Sequence, residues 1–474
     1  MSVRFKDTQL IIFALLLGVI CGSVPTLLVS YSFYFMILIG VIVSIAVLVF
    51  FRRYITPVGI KSLPITSDID KETVNYKFTM FFYGIGTLFL GQLSFRPAGD
   101  ITISDLCYFS AVGLWFFIIV KNHKIPFYVL THWLGVGLVL FLIGATLSIF
   151  NSVLPIQSLS KVLRLVFIIT VWFTLSIKLL NTEQKVFKML LLWVLSIAFN
   201  GLIAVLQLKW EIPLTTNHYG RMSAFTGHVS DLGGMTSVAW IPALMLATTV
   251  KSRKSVIYYV LLLLVGLGVI LSGSVSGMIA ISLGTFIWMF ISRPNFKFLF
   301  VLFVMATSIV ALFLYQEANG YVTPLSRFES TTSLAANDEN GTLMSRAVTY
   351  QAAFEVIKEN PFVGVGYDEI SNKTVTGFPV HNLYLAAWFE GGIIALLGMM
   401  IMTVTILYLG VYATKNAPSK LHYNLSLGLL ISFACALVFG MTAPILYQRY
   451  IWMPAALILP LYKLARDYKK KTSK

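Results

Sequence analysis

The densest group of reactive side chains in this sequence is His381 with Asn382, Tyr384 and Glu390, in the stretch HNLYLAAWFEGG. If this stretch is helical, positions 381 and 384 share one face and Glu390 lies about two and a half turns further along. Imidazole titrates near neutral pH, so His381 is a candidate general base. Ionisable residues at membrane depth are usually functional, which favours a role for Glu390 in the same cavity. The alternatives are that His381 only caps the helix or holds Glu390, and that Glu390 anchors a neighbouring loop.

A second candidate is Arg221, in the glycine-rich stretch NHYGRMSAFTGHVSDLGG. A guanidinium group binds phosphate through paired hydrogen bonds, which makes Arg221 a candidate anion-binding residue. The alternative is an arginine at a helix end whose charge extends to the membrane surface. His218 and His228 flank it and are expected to be loop histidines, and Asp231 is a possible partner for its charge.

Serines and further cations complete the set of candidates. Ser272 and Ser274 lie in LSGSVSG, which is either a hydroxyl-lined patch of a cavity wall or a tight turn between closely packed helices. Lys161, Arg164 and Arg449 are each predicted near the same side of the membrane. Arginines that face lipid are costly, and a phosphate-bearing ligand in a shared cavity would relieve that cost.

The composition identifies the kind of scaffold that must position these residues. Hydrophobic residues make up 58% and charged residues 11% of the 474 positions, and the mean hydropathy is +0.84. Soluble domains carry about 25% charged residues. We therefore predict an all-α polytopic membrane protein that forms a single membrane domain over residues 1–474.

Apolar runs of about 20 residues predict about 14 transmembrane helices. They lie at 9–29, 32–51, 77–95, 103–120, 127–149, 160–180, 186–207, 232–250, 255–271, 275–292, 298–315, 381–413, 422–442 and 447–464. With both termini cytoplasmic, most of the 35 lysines and arginines fall in cytoplasmic segments. Topology then accounts for the net charge of +16, and no nucleic-acid partner is needed to explain it.

The same topology places residues 316–380 outside, as one large periplasmic loop between predicted helices 11 and 12. Residues 345–360 are predicted to form an amphipathic helix in this loop, with Val348, Ala352, Val356 and Ile357 on one face and Arg346, Lys358 and Glu359 polar. Asn360 and Pro361 end the helix. We expect it to lie along the outer membrane surface and to roof a cavity.

Motifs for other chemistries are absent from the sequence. There is no Walker A loop, no CxxC pair and no HExxH motif, so neither a cofactor nor a metal is predicted. The energy for any reaction must then come from an activated substrate.

Several of these stretches together resemble the O-antigen ligase and polymerase family of bacterial membrane glycosyltransferases. The resemblance covers roughly residues 200–410 and rests on RMSAFTGHVSDLGG, LSGSVSG, SRAVTYQAAFEVIKENPFVGVG and HNLYLAAWFEGGIIALLG. It implies an enzyme of the bacterial inner membrane with its active site on the periplasmic side. The implied donor is an undecaprenyl-diphosphate-linked oligosaccharide, and the implied acceptor is a glycan or lipid A-core.

The resemblance also implies roles for single residues. Arg221 would bind the diphosphate, and His381 would serve the acceptor or the leaving group. Many family members have an arginine where this chain has Val275, so Arg346, Arg164 or Arg449 would have to substitute for it.

The expected reaction is one displacement that inverts the anomeric centre, with arginines in place of a metal ion. Val275 favours a polymerase over a ligase that transfers finished polysaccharide to lipid A-core, and a polymerase has a chain-length regulator as a candidate partner. A polysaccharide flippase or other transporter is the alternative from another class, although transporters favour internal repeats, which this sequence lacks.

Overall fold

The computed structural model describes residues 74–96, 101–122, 131–218, 220–249, 255–292, 343–374 and 376–472, with isolated positions between 307 and 326. The described part of the chain is mostly helical. In chain order its α-helices are α1 Val74–Leu88, α2 Ile103–Asn122, α3 His132–Leu147, α4 Pro155–Val166, α5 Phe173–Leu179, α6 Glu183–Leu206, α7 Val229–Thr249, α8 Ser255–Leu271, α9 Val275–Ser292, α10 Leu343–Glu359, α11 Leu383–Lys415, α12 Lys420–Gly440 and α13 Arg449–Thr472. A π-helical turn at Phe167–Trp172 joins α4 to α5, and strands β1 Asn217–His218 and β2 Arg221–Met222 form an antiparallel hairpin.

Seven helical segments in the described residues are long and apolar enough to cross a membrane. They are His132–Asn151, Pro155–Leu179, Glu183–Leu206, Val229–Thr249, Val275–Ser292, Leu383–Lys415 and Lys420–Gly440. Each overlaps a predicted span. The predicted spans at 9–29 and 32–51 lie outside the described residues, as does most of 298–315, so the total of about 14 stays a prediction. The periplasmic position of residues 316–380 and the single-domain assignment also stay predictions.

Helix α11 packs most closely against α3, and glycines make this approach possible. A methyl group added to Gly144 of α3 would collide with the backbone nitrogen of Ala395, and one added to Gly398 of α11 would collide with the backbone of Phe141. Small residues at helix crossings allow backbones to come into contact in membrane proteins. The close contact between α3 and α11 therefore holds α11, the helix that begins just after His381, in place.

The long helix α11 is interrupted near its start. Gly392 has φ 75° and ψ 177°, a conformation that is essentially restricted to glycine. The segment that follows α10 inserts at this break, where the Val365 amide donates to the Phe389 carbonyl and the Gly366 amide donates to the Glu390 carbonyl, both at 3.0 Å. The motif NPFVGVG is thus a docking segment that fixes the end of α10 to α11.

The amphipathic helix predicted at 345–360 is present as α10, and its buried face agrees with the predicted one only in part, since Ile357 is buried and Val356 packs against the same cluster. Tyr350, Ala353 and Ile357 are buried and pack against residues of α11 such as Leu385. Val348, predicted on that face, is 46% exposed. A face running through 350, 353 and 357 at helical spacing also includes position 346, so α10 turns Arg346 towards α11.

Candidate active site

His381 lies immediately before α11, and its neighbours fix its orientation. The Asn382 side chain caps the helix by accepting hydrogen bonds from the amides of Tyr384 and Leu385, both at 3.0 Å. Its amide group donates to the Met441 carbonyl at 3.2 Å. Asn382 therefore ties the start of α11 to the turn between α12 and α13, which leaves the neighbouring His381 in a defined position.

Hydrogen bonds hold both the imidazole and the backbone of His381, and the bond to the imidazole favours one tautomer. Its Nδ1 lies 2.8 Å from the Pro379 carbonyl. A carbonyl only accepts hydrogen bonds, so Nδ1 carries the proton and Nε2 keeps its lone pair. The Tyr350 hydroxyl donates to the His381 carbonyl at 2.6 Å. Burial raises the pKa of Tyr350 to about 12, so the phenol remains a donor at neutral pH.

The electrostatic surroundings keep His381 neutral. Burial lowers the pKa of His381 from 6.5, the positive charge of Arg346 lowers it further, and His228 adds a smaller effect in the same direction. The hydrogen bond to the Pro379 carbonyl opposes these effects only in part. A neutral imidazole with an available Nε2 is the form that accepts a proton.

Arg221 lies on the β1–β2 hairpin, beside the serine-rich turn. Its Nε donates to the Ser272 carbonyl at 2.8 Å. Gly273, at φ 61°, lies directly against the arginine, since a methyl group there would come within 3.1 Å of that Nε. The turn also packs against the start of α7, where a methyl group on Gly233 would lie 2.9 Å from the Ser272 hydroxyl. The turn is therefore both a close helix junction and the support for the Arg221 side chain.

Two hydrogen bonds connect this turn to the His381 region. Ser276 lies in the first turn of α9, two residues after Ser274. Its hydroxyl accepts a hydrogen bond from the Thr442 hydroxyl at 2.6 Å. Thr442 adjoins Met441, the partner of Asn382. The predicted residues Arg221, Ser272, Ser274, Asn382 and His381 therefore belong to one connected end of the helix bundle.

Glu390 forms a separate group on α11. It is buried and accepts a hydrogen bond from the Tyr447 hydroxyl at 2.5 Å. The Lys161 ammonium lies 5.8 Å from the centre of the Tyr447 ring. This supports the interpretation of Glu390 as a loop anchor, because its backbone also holds Gly366. Tyr384 is buried in the main core, with its backbone amide bonded to Asn382.

Arg449 and Arg164 form another group. Arg449 is 3% exposed and makes an ion pair with Asp105, and it also donates to the Thr102 hydroxyl at 3.3 Å. Arg164 is close enough to Arg449 for their charges to interact. The charge of Arg449 is thus already compensated by a protein carboxylate.

Sequence reasoning missed several of these partners. The contact between Tyr350 and His381 could have been anticipated, because Tyr350 lies one helical turn after the candidate residue Arg346. Asp105 is an isolated charge in an apolar run, and such a charge usually has a partner. Nothing in the sequence identified Arg449 as that partner. Within the described residues there is no group of three or more His, Cys, Asp or Glu side chains that could hold a metal ion. The predicted independence from metals stays a prediction.

No curated protein matches the chain. Residues 260–400, which include the serine-rich turn, α10, the docking segment and His381, match the model of the family described as O-Antigen ligase. The resemblance predicted from the sequence motifs is therefore confirmed over this region.

Proposed function

We propose that this protein is a membrane glycosyltransferase that moves a glycan from undecaprenyl diphosphate to a sugar acceptor. The family match over residues 260–400 and the seven candidate spanning helices support this class of activity. In this proposal the enzyme lies in the bacterial inner membrane and acts on the periplasmic side. The donor is already activated, so neither ATP nor a metal ion takes part.

The observation that carries the proposal is the orientation and protonation of the His381 side chain. Its proton lies on Nδ1, its orientation is fixed by Pro379 and Asn382, and its pKa is lowered by burial and by Arg346. A histidine that only filled space would need neither a fixed tautomer nor a nearby arginine. Both features are expected of a general base that works close to an anionic substrate.

The proposed reaction is a single displacement. Nε2 of His381 takes the proton from the acceptor hydroxyl while that oxygen attacks the anomeric carbon of the donor sugar. The bond between this carbon and the diphosphate oxygen breaks, and undecaprenyl diphosphate leaves with the bonding electrons. The new glycosidic bond has the opposite anomeric configuration, and His381 later returns the proton to solvent.

Positive charge must stabilise the leaving diphosphate. We assign this role to Arg221 and Arg346. Nε of Arg221 donates to the Ser272 carbonyl, which fixes the guanidinium beside the serine-rich turn, and a guanidinium group can bind phosphate through paired hydrogen bonds. Arg346 is close enough to His381 for its charge to lower the pKa of the imidazole, and we infer that it substitutes for the arginine that Val275 replaces. Arg164 and Arg449 are less suited, because Asp105 already pairs with Arg449.

The identity of the acceptor separates two forms of the proposal. The valine at 275 favours a polymerase that joins repeat units, which is our first choice. The printed description of the matched family favours a ligase that transfers the chain to lipid A-core. A flippase or transporter remains the alternative from another class, and it predicts no glycosidic bond formation.

Analysis of surface polysaccharide in a deletion strain tests the proposal. Single repeat units on lipid A-core identify a polymerase, whereas long chains that stay on the carrier lipid identify a ligase. Purified protein with lipid-linked oligosaccharide should then form new glycosidic bonds. If the deletion strain instead accumulates lipid-linked units on the cytoplasmic face, and the purified protein forms no bond, the protein is a transporter.

A further inference from the structure

The loop that precedes His381 has features that the proposed reaction does not yet use. Residue 374 and residues 376–380 form a compact turn in which the Thr374 amide donates to the Phe378 carbonyl at 3.1 Å and the Gly377 amide donates to the Thr374 carbonyl at 2.8 Å. An isolated bridge between Lys373 and Pro379 closes it. The turn is thus a defined structure that ends at the carbonyl holding His381 Nδ1.

Three hydroxyl groups are connected at the base of this turn. The Thr374 and Thr376 hydroxyls are 2.6 Å apart, and the Thr376 and Thr349 hydroxyls are 3.3 Å apart. The Thr374 hydroxyl also donates to the Phe378 carbonyl at 3.4 Å and accepts from the Thr376 amide at 3.3 Å. A hydroxyl has one hydrogen and two lone pairs, so Thr376, with two hydroxyl partners, keeps capacity for one further hydrogen bond. Thr374 and Thr349 are buried, whereas Thr376 is partly exposed and is the member that a ligand can reach.

An aromatic side chain stands at the tip of the same turn. Phe378 is 52% exposed, and Gly377 beside it has open space where a side chain would be. Phe378 is three residues from His381, a separation that spans at most about 10 Å of chain. A hydroxyl chain with a neighbouring exposed aromatic ring is suited to a sugar, which presents hydroxyls at its edge and an apolar C–H face.

We propose that Thr374, Thr376 and Phe378 of this turn, together with Thr349, form a binding subsite for the acceptor glycan. Phe378 stacks against the apolar face of an acceptor sugar, and Thr376 bonds one of its hydroxyls. The sugar whose hydroxyl loses its proton to His381 is then held by the turn that orients His381 itself. This inference rests on the proposed glycosyl transfer, and it assigns the acceptor rather than the lipid-linked donor to this turn.

Steady-state kinetics of Phe378→Ala in the purified full-length protein test the subsite. Loss of one stacked aromatic ring should raise the KM for the acceptor roughly 2- to 10-fold. The KM for the lipid-linked donor and the kcat at saturating acceptor should stay unchanged, and Phe378→Trp should retain the wild-type KM. Phe362→Ala is the matched control, because Phe362 is also a loop phenylalanine and is 69% exposed.

A binding measurement without turnover separates this inference from the proposed function. The probes are oligosaccharides released by mild acid from the surface polysaccharide and from the lipopolysaccharide core of the source bacterium. A titration followed by saturation-transfer NMR should give one of them the same dissociation constant on the wild-type protein and on Phe362→Ala, and a dissociation constant roughly 2- to 10-fold higher on Phe378→Ala. If binding follows this pattern but no variant forms a glycosidic bond, the subsite stands and the proposed function fails.

Two results would overturn the subsite. One is an active Phe378→Ala enzyme with a wild-type KM for the acceptor, and the other is a rise in the KM for the donor alone. The second result would mean that Phe378 contacts the lipid carrier or the membrane surface instead of the acceptor.

Discussion

Replacement of His381 tests the general base directly. A positioned base contributes typically about 10²–10⁴-fold to a rate, so His381→Ala should lower kcat for glycan transfer by about that factor while lipid-linked donor accumulates. Folding should survive, because Asn382 caps α11 and Tyr350 bonds only the backbone carbonyl of His381. His381→Gln keeps hydrogen bonding but cannot accept a proton at neutral pH, so it should be as inactive as the alanine variant.

The pH dependence gives the same residue a second test. In the proposed mechanism the neutral form of His381 is the active one, and burial and Arg346 lower its pKa from 6.5, so activity should fall as the pH is lowered through that depressed pKa. Arg346→Gln removes the positive charge that contributes to the shift. The acid limb of kcat/KM should then move to higher pH, towards the ordinary histidine value, in addition to any loss of donor binding.

The assay is transfer from lipid-linked oligosaccharide by purified protein over a range of pH. His132→Gln is the control, because His132 is an exposed histidine at the start of α3, away from the predicted site. Full activity in His381→Gln would refute the catalytic role and leave His381 as a structural residue. An acid limb that does not move in Arg346→Gln would refute the electrostatic coupling between the two residues.

The remaining predictions concern charge and backbone. Arg221→Lys should lose most activity with normal membrane insertion, because an ammonium cannot make a bidentate phosphate contact; a wild-type rate in the transfer assay would reduce Arg221 to a surface anchor. Gly392→Ala should destabilise the protein by about 1–3 kcal/mol, since φ 75° with ψ 177° is strained for alanine, and denaturant unfolding should show no comparable loss for Gly113→Ala, which has open space around it. Asp105→Ala should cost roughly 3–5 kcal/mol by stranding the buried charge of Arg449; an unchanged thermal midpoint would contradict the importance of that ion pair.

Hydropathy predicted the positions of the helices well, for a simple physical reason. A membrane helix must contain about 20 apolar residues in a row, and such a run is visible in the sequence. The predicted span at 255–271 coincides with α8, and the span at 422–442 overlaps α12, Lys420–Gly440. The residues of the candidate site were also visible, since polar side chains are rare in this chain.

The partners of those residues were not predictable in the same way. The ion pair between Arg449 and Asp105 joins positions 344 residues apart, and no local pattern links them. Of the residues predicted on the buried face of α10 only Ile357 is buried, because apolar residues occur on two sides of the helix. Packing against α11 decides between them, and it selects the side with Tyr350 and Arg346. Hydrophobic periodicity records which residues are apolar, but not which neighbour they meet.

The turn between α12 and α13 explains why several distant motifs occur together. Asn382 bonds the Met441 carbonyl at the start of this turn, and Ser276 bonds the Thr442 hydroxyl beside it. Glu390 bonds Tyr447 near its end. Three polar residues from two of the motifs therefore hold this single turn, and we propose that they act as positioning groups. In the proposed function the chemistry falls to His381, which is fixed next to Asn382 with its Nε2 lone pair available.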